Sequence, residues 1–215
     1  MVKKNTVTDY IYEKILNDIV SLHYLPGEKL SEVQLANRFN VSRDPVKRAF
    51  IRLEQEELVE IIPQFGTIVS EISIDKGKQI CDVRLLLEPY ATEIATKTIT
   101  KGQMKKLENA FNKLNLLDKG SEEYSKYISE LDILLHNTIY EASGNLIIRD
   151  VNHLYAPHIQ RIRRANITWV NRLEPSRNEM TKIYEALQTG DPKKSAKAMY
   201  EHISNIKAAI EKLHN

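Results

Sequence analysis

Asp132 and His136 are four residues apart, a spacing that places two side chains on one face of a helix. His202 lies on a second stripe of helical period. The apolar residues beside the first pair are Ile128, Leu135 and Ile139. A carboxylate and two imidazoles that converge inside a helical bundle are suitable ligands for zinc or a related metal. The alternative is that Asp132 and His136 satisfy each other in the core and that His202 bonds to a carbonyl.

A second group of residues that could bind a ligand is basic and lies near the N-terminus, at Arg43, Lys47, Arg48 and Arg52. These cations fall off the apolar stripe of their helix, which consists of Val46, Ala49, Phe50 and Leu53. Residues at the start of a DNA-recognition helix meet base edges, and later cations meet phosphates. Arg43 is therefore the candidate for a bidentate contact to guanine. The alternative is an ordinary solvated face.

The elements around these cations predict a winged helix-turn-helix over residues 1–72. Ser31 and Gln34 have the spacing of a helix-capping pair, and Ser42 is a good N-cap for the next helix. Two β-favouring runs follow, Val59–Pro63 and Thr67–Glu71. They predict a small hairpin, with Gly66 at its tip to allow close approach of the backbone to the minor groove.

The rest of the chain, residues 73–215, has helical period throughout and predicts an all-α bundle of six helices. Capping and stop signals set approximate bounds for these helices. We expect them near 75–98, 101–117, 121–142, 145–170, 175–189 and 192–213. The whole protein is thus predicted to be mostly α, with one small hairpin in its N-terminal domain.

Composition sets broader bounds. The 215 residues are 42% hydrophobic and 28% charged, with a net charge of +2, which is ordinary for a globular protein. No segment approaches the length of a membrane span or has the form of a signal peptide. The single Cys81 excludes an internal disulfide framework and fits a reducing compartment. We expect a cytoplasmic protein that does not associate with membranes.

The segments LPGEKLSEVQLANRFNVSRDPVKRAFIRLEQEELVE and GTIVS together resemble the N-terminal domain of GntR-family bacterial transcription regulators. The resemblance implies a homodimer that reads a palindromic operator in double-stranded DNA. The residues at the family's DNA-contact positions are Ser42, Arg43, Asp44, Pro45, Lys47 and Gly66, to which we add Arg48. Lys47 stands where arginine is usual, Arg48 where glutamate is common, and Phe65 where the wing often has arginine. The operator sequence therefore does not transfer.

The helical remainder resembles the FCD effector domain of the FadR subgroup through VRLLLEPYA, LDILLHNTIYEASGN and LQTGDPKKSAKAMYEHI. The resemblance implies a small-molecule effector, often a carboxylic acid, and a divalent metal, for which we name zinc, nickel or manganese. Asp132, His136 and His202 match three ligand places. A fourth place, 22 residues before His202, holds Met180, a poor ligand for these metals. Three protein ligands with water still make a viable site. His158 is the alternative fourth ligand, although we expect it at the surface.

A carboxylate effector needs a cationic partner, for which arginine is best suited. Arg84 is the first candidate because it lies on an apolar helix face, and Arg161 and Arg164 follow. The alternative for Arg84 is an ion pair with Glu88, one turn away. The alternative for the other two is a solvated position.

These features together predict a ligand-responsive transcription regulator, which we expect to be a repressor and not an enzyme. The first alternative is a metal-dependent enzyme that uses Asp132, His136 and His202. The second is an architectural protein that binds DNA with little sequence preference.

Overall fold

The computed structural model describes residues 6–165 and 172–214. The chain forms two compact units. The first contains the residues up to Ser73 together with Leu154–Ala165, and the second contains Ile74–His153 together with the helices after residue 171. Within the described ranges, no helix combines the length and the apolar character that crossing a membrane would require.

The first unit contains three helices, α1 (Val7–Val20), α2 (Glu32–Phe39) and α3 (Arg43–Gln55). The caps explain where they begin and end. Thr6 and Asp9 form a reciprocal capping box at the start of α1, and the Ser31 hydroxyl accepts from the Gln34 amide at the start of α2. Asn40 ends α2 in the left-handed conformation, with φ of 53°, which turns the chain towards α3.

The core of this unit lies between α1 and α3 and is apolar. Ile11, Ile15 and Ile19 of α1 are completely buried, as are Val46 and Leu53 of α3. The period of these residues places them along one stripe of each helix, so the opposite face of α3 remains exposed. The cations of the sequence are on that exposed face.

A three-stranded antiparallel sheet completes the first unit. It consists of β1 (Lys29–Leu30), β2 (Val59–Ile62) and β3 (Gly66–Val69), in the order β1-β3-β2. Val59 pairs with Val69 and Ile62 with Gly66, so residues 63–65 form the turn between β2 and β3. This hairpin is the wing.

The second unit is helical. Its helices are α4 (Ile74–Thr98), α5 (Lys101–Leu116), α6 (Glu122–Ser143), the first part of α7 (Leu146–Ala165), α8 (Leu173–Thr189) and α9 (Pro192–Glu211), which a 3₁₀ turn at Lys212–His214 follows. Thr100 and Gln103 form a second capping box, and Asp191 caps α9. The long helix α4 packs against α6 and α9, and α8 packs against α9. The helices that carry the candidate metal ligands are therefore neighbours.

The fold agrees with the prediction in class and in order of elements. The predicted winged helix-turn-helix and the helical remainder are both confirmed. The hairpin is wider than predicted, because Lys29 and Leu30 pair with Ile68 and Thr67 as a third strand. Two residues are too few to show a period of alternation. Residues 166–170 of the helix expected at 145–170 lie outside the described residues.

Candidate nucleic-acid interface and metal centre

Helix α3 presents the predicted cations on its exposed side. Arg43 is paired with Glu32 across the turn, with Nη2 to Oε2 at 2.8 Å, and Arg48 is paired with Asp44 at 2.9 Å. The Asp44 carboxylate, which is an awkward neighbour for a polyanion, is therefore neutralised by Arg48. Among the described residues, Lys47 is exposed and makes no ion pair. The exposed face of α3 can therefore offer the guanidinium groups of Arg43 and Arg48 and the unpaired ammonium group of Lys47 to a ligand.

The start of α3 differs from the expected N-cap in one respect. Ser42 occupies the N-cap position, but its side chain makes no capping hydrogen bond. The predicted N-cap position of Ser42 is therefore confirmed, although its hydroxyl makes no capping bond. Its hydroxyl is exposed and stands beside amide groups at a helix N-terminus, where an anion is favoured. Pro45 lies in the first turn, where a missing amide hydrogen costs nothing.

The wing carries a cation that sequence reasoning missed. Lys29 of β1 places its Nζ 4.2 Å from the centre of the Phe65 ring, and the ring is 53% exposed. Gly66 begins β3 with φ of 119°, and a Cβ at Gly66 would lie 3.1 Å from the Lys29 side chain. Gly66 is therefore just past the tip of the wing rather than at it. The pairing of β1 with β3, which sequence reasoning did not predict, brings this lysine to the wing.

The three predicted metal ligands converge in the second unit. Asp132 and His136 come from α6 and His202 from α9, and one ligand atom of each lies within 4.8 Å of the other two. His136 Nε2 is 3.6 Å from Asp132 Oδ1, and His202 Nε2 is 3.3 Å from the same oxygen. Metal–ligand bonds of about 2.0–2.2 Å in a tetrahedral site separate neighbouring ligand atoms by roughly 3.4 Å. The two separations from Asp132 Oδ1 are close to that value.

The two imidazoles are held from behind by carboxylates. His136 Nδ1 donates to Glu88 Oε2 at 2.8 Å, and His202 Nδ1 donates to Glu179 Oε2 at 2.9 Å. The two Nε2 atoms are buried and make no hydrogen bond within the described part of the chain. Leaving two such atoms unsatisfied is costly unless something else binds them. This donor set fits a divalent metal held by Asp132, His136 and His202.

Each of these two carboxylates also forms an ion pair with an arginine. Glu88 is completely buried and pairs with Arg84 of the same helix at 2.5 Å, while Glu179 of α8 makes a bidentate pair with Arg172 at 2.8 and 2.9 Å. Burial acts to raise the pKa of Glu88, but Arg84 and His136 outweigh it and hold the pKa well below its usual range. Burial likewise opposes the lowering of the Glu179 pKa by His202 and Arg172. Both carboxylates are thus acceptors that stay ionised.

His136 is electrostatically coupled to this network. Burial acts to lower its pKa, but the negative charges of Glu88 and Asp132 outweigh burial and raise the pKa to about 9. A metal ion at Asp132 and His136 would supply the positive charge that the proton supplies otherwise. The site is therefore built to hold a cation in either form.

The other predicted residues are distributed as follows. Met180 is completely buried in α8, next to Glu179. Arg84 makes the ion pair with Glu88 that was its alternative. Arg161 and Arg164 belong to the segment that clusters with the first unit, whereas Asp132, His136 and His202 belong to the second. Arg161 is buried and donates to the Ser70 carbonyl, whereas Arg164 is exposed.

The surface position expected for His158 is wrong. This residue is only 8% exposed, and its Nε2 donates to the Glu56 carbonyl at 2.9 Å within the first unit. His158 is therefore committed to a backbone group that follows α3, and it lies outside the cluster of candidate ligands. Sequence reasoning missed this role because the partner is a backbone carbonyl 102 residues away, which no spacing reveals.

Sequence reasoning also missed Glu179 and Arg172. Their separation of seven residues is two helical turns, so they share one face at the start of α8, and that spacing was the available signal. Glu179 immediately precedes Met180, the position where the resemblance places a histidine.

Comparison with known proteins agrees with both halves of this description. Residues 7–69 match the family described as "Bacterial regulatory proteins, gntR family", and residues 79–205 match the FCD domain. The HTH-type transcriptional repressor RspR of Escherichia coli is 28% identical over 207 residues, covering 96% of this chain and 90% of that protein. The gluconate operon transcriptional repressor of Bacillus subtilis is 25% identical, covering 87% of this chain and 78% of that protein.

Solved structures show the same fold. E. coli McbR/YncC superposes with a TM-score of 0.81 at 18% identity, over 98% of this chain and 99% of that one. A putative GntR transcriptional regulator from Rhodococcus sp. RHA1 gives the same TM-score at 16% identity, over 97% of this chain and 99% of that one.

Proposed function

Because the chain belongs to the GntR family of bacterial transcription regulators and carries an FCD effector domain, we propose that it represses transcription by binding a palindromic operator as a homodimer. We further propose that a small carboxylate metabolite releases it. Regulators of this family bind DNA and small-molecule effectors, and two of the relatives are named repressors. The observation that carries the DNA half is the basic, exposed face of α3 on a buried apolar stripe.

The proposed DNA contacts follow from that face. Arg43 lies at the first turn of α3, where it can reach a guanine edge with both arms of its fork. Lys47 and Arg48 lie about one turn further along and suit phosphates. Ser42, Asp44 and Pro45 complete the start of the helix, and Gly66 allows the wing to approach closely. Lys29 adds a charge at the wing, where Phe65 replaces a frequent arginine.

The homodimer is proposed because a palindrome presents two equivalent half-sites. Helix α4 offers an apolar face for self-association, since Val83, Leu86 and Tyr90 share one side of it and are 41%, 77% and 56% exposed. Apolar side chains grouped on one exposed helix face favour a protein partner. We also propose that residues 1–72 are the DNA-binding domain and 73–215 the effector and dimerisation domain.

We propose that Asp132, His136 and His202 hold a divalent metal, with zinc, nickel and manganese as the candidates. The two buried Nε2 atoms without hydrogen-bond partners support this. When bound, such a metal offers a Lewis-acidic position to an effector carboxylate. Arg84 stabilises that end of the site through its ion pair with Glu88. Arg161 and Arg164 are proposed as further effector contacts. We place the protein in the cytoplasm because its proposed target is bacterial DNA.

Selection from a pool of random DNA duplexes tests the DNA half of the proposal. The purified protein should enrich an inverted repeat, and sedimentation should give two chains per duplex. Enrichment of no sequence, with binding that falls steeply in salt for every duplex alike, would favour the architectural alternative instead. The metal-dependent enzyme alternative gains no support from the comparisons, since the family and the named relatives are transcription regulators.

A further inference from the structure

We infer that Glu88 and Glu179 are positioning residues for the metal site, which they set up by fixing the proton of each imidazole on Nδ1. This inference rests on the proposed metal site and concerns two residues that bind no metal themselves. It makes the site a symmetrical arrangement, in which an arginine holds a carboxylate and the carboxylate orients a histidine on each side of Asp132.

The geometry on the His202 side shows how this works. An ionised carboxylate can only accept hydrogen bonds, so Nδ1 must carry the proton in the 2.9 Å contact with Glu179. In the neutral ring, Nε2 is then left with its lone pair, and it lies 3.3 Å from Asp132 Oδ1. Arg172 fixes Glu179 through two parallel hydrogen bonds, which removes its freedom to rotate away.

The His136 side repeats the arrangement with a different helix. Glu88 of α4 accepts from Nδ1 at 2.8 Å, and Arg84 fixes Glu88 from the opposite side. His136 is 5% exposed and Glu88 is fully buried, so bulk water does not reach their contact. Histidine ligands of metal sites commonly donate their second nitrogen to a carboxylate, which orients the ring and raises its basicity. Here the protein supplies that feature on both rings.

The arrangement bears on the methionine at position 180. A site with three protein ligands depends more on the orientation of each ligand than a site with four, because no further ligand restrains the metal. Glu179 precedes Met180 in α8 and reaches His202 of α9. Helix α8 thus contributes to the site through an outer carboxylate.

Glu179→Ala is the decisive variant, because it removes the carboxylate that accepts from His202 Nδ1. Titrations with Zn²⁺, Ni²⁺ or Mn²⁺ alone should show affinity lower by about 10- to 100-fold than in the wild type. Glu185→Ala is the matched control, since Glu185 is exposed on the same helix and should leave the affinity unchanged. Glu88→Gln tests the other ring, with circular dichroism to confirm that the protein is folded.

A second readout separates positioning from simple support of the fold. Long-range ¹⁵N–¹H spectra of the metal-free protein report which nitrogen of His202 carries the proton. The wild type should show the Nδ1–H form, and Glu179→Ala should lose that preference. Unchanged metal affinity together with an unchanged His202 tautomer in Glu179→Ala would overturn the inference. A wild type that shows the Nδ1–H form but takes up none of the three ions would instead overturn the proposed metal site.

Discussion

Raising the pH of the metal-free protein should destabilise its helical unit through a single residue, His136. Its pKa is raised from 6.5 to about 9 in the folded state, because Glu88 and Asp132 outweigh the effect of burial. A raised folded-state pKa means that the folded protein holds the proton more tightly than the unfolded chain does. The resulting stability is fully present below pH 6.5 and is lost as the pH rises through about 9.

The size of this effect follows from the shift. One pKa unit corresponds to about 1.4 kcal/mol. The rise in the His136 pKa from 6.5 to about 9 therefore contributes on the order of 3 kcal/mol to the free energy of unfolding. Urea denaturation in EDTA at several values between pH 6 and pH 10 measures the loss. The His136→Gln variant should lose most of this pH dependence, whereas His153→Gln, at an exposed histidine, should keep it.

Nuclear magnetic resonance provides the direct check. The His136 ring should titrate near pH 9 in EDTA, and an ordinary pKa near 6.5 would refute the argument that the carboxylates dominate over burial. Saturating Zn²⁺ should reverse the trend, because the metal takes the place of the proton and its binding strengthens as the pH rises. Equal pH dependence in the wild type and His136→Gln would assign the effect to another group.

Three further predictions concern the interface, the core and the ligand set. Arg43→Ala should weaken binding to the selected operator by about 1–3 kcal/mol, but should change little the binding to operators that carry another base at the one position it contacts. Lys47→Ala should weaken binding to all duplexes alike and lower the salt slope by about one. Identical behaviour of the two variants in anisotropy titrations in KCl would contradict these assignments. Leu53→Ala should lower the free energy of unfolding by about 2–5 kcal/mol, and the exposed Ile51→Ala by no more than about 0.5 kcal/mol; equal losses in urea denaturation would argue against the assigned core. Met180→His should tighten Zn²⁺ binding about tenfold or more in competition with a chelator; unchanged affinity would remove position 180 from the ligand shell.

The sequence predicted the fold well because its signals are local. The apolar stripe of α3, the capping box at Thr100 and the turn at Asn40 each depend on residues within a few positions of one another. Their agreement along the chain left little freedom in the order of elements. The strand at Lys29 was missed because it exists only through its pairing with β3.

The candidate site was predictable only in part, for the same reason. Asp132 and His136 share a helix face, so their pairing was visible. His202 was indicated by its own helical stripe, and the resemblance placed it with the other two. The hydrogen bond between Glu179 and His202 joins two helices and has no counterpart in spacing or composition. Arg84 posed a different difficulty, since the same spacing to Glu88 suits both an ion pair and a free cation for an effector.

The ion pairs on the outer face of the first unit bear on how the protein would search a chromosome. Arg43, Arg48 and Arg52 each rest against a carboxylate of their own chain, at 2.8, 2.9 and 3.4 Å respectively. A phosphate on arbitrary DNA must displace that carboxylate, so each encounter replaces one weak ion pair by another. Each arginine therefore adds up to about fivefold less affinity for arbitrary DNA than an unpaired arginine would. We therefore expect short residence on random DNA and rapid scanning. Long residence is expected only where hydrogen bonds to base edges stabilise the complex.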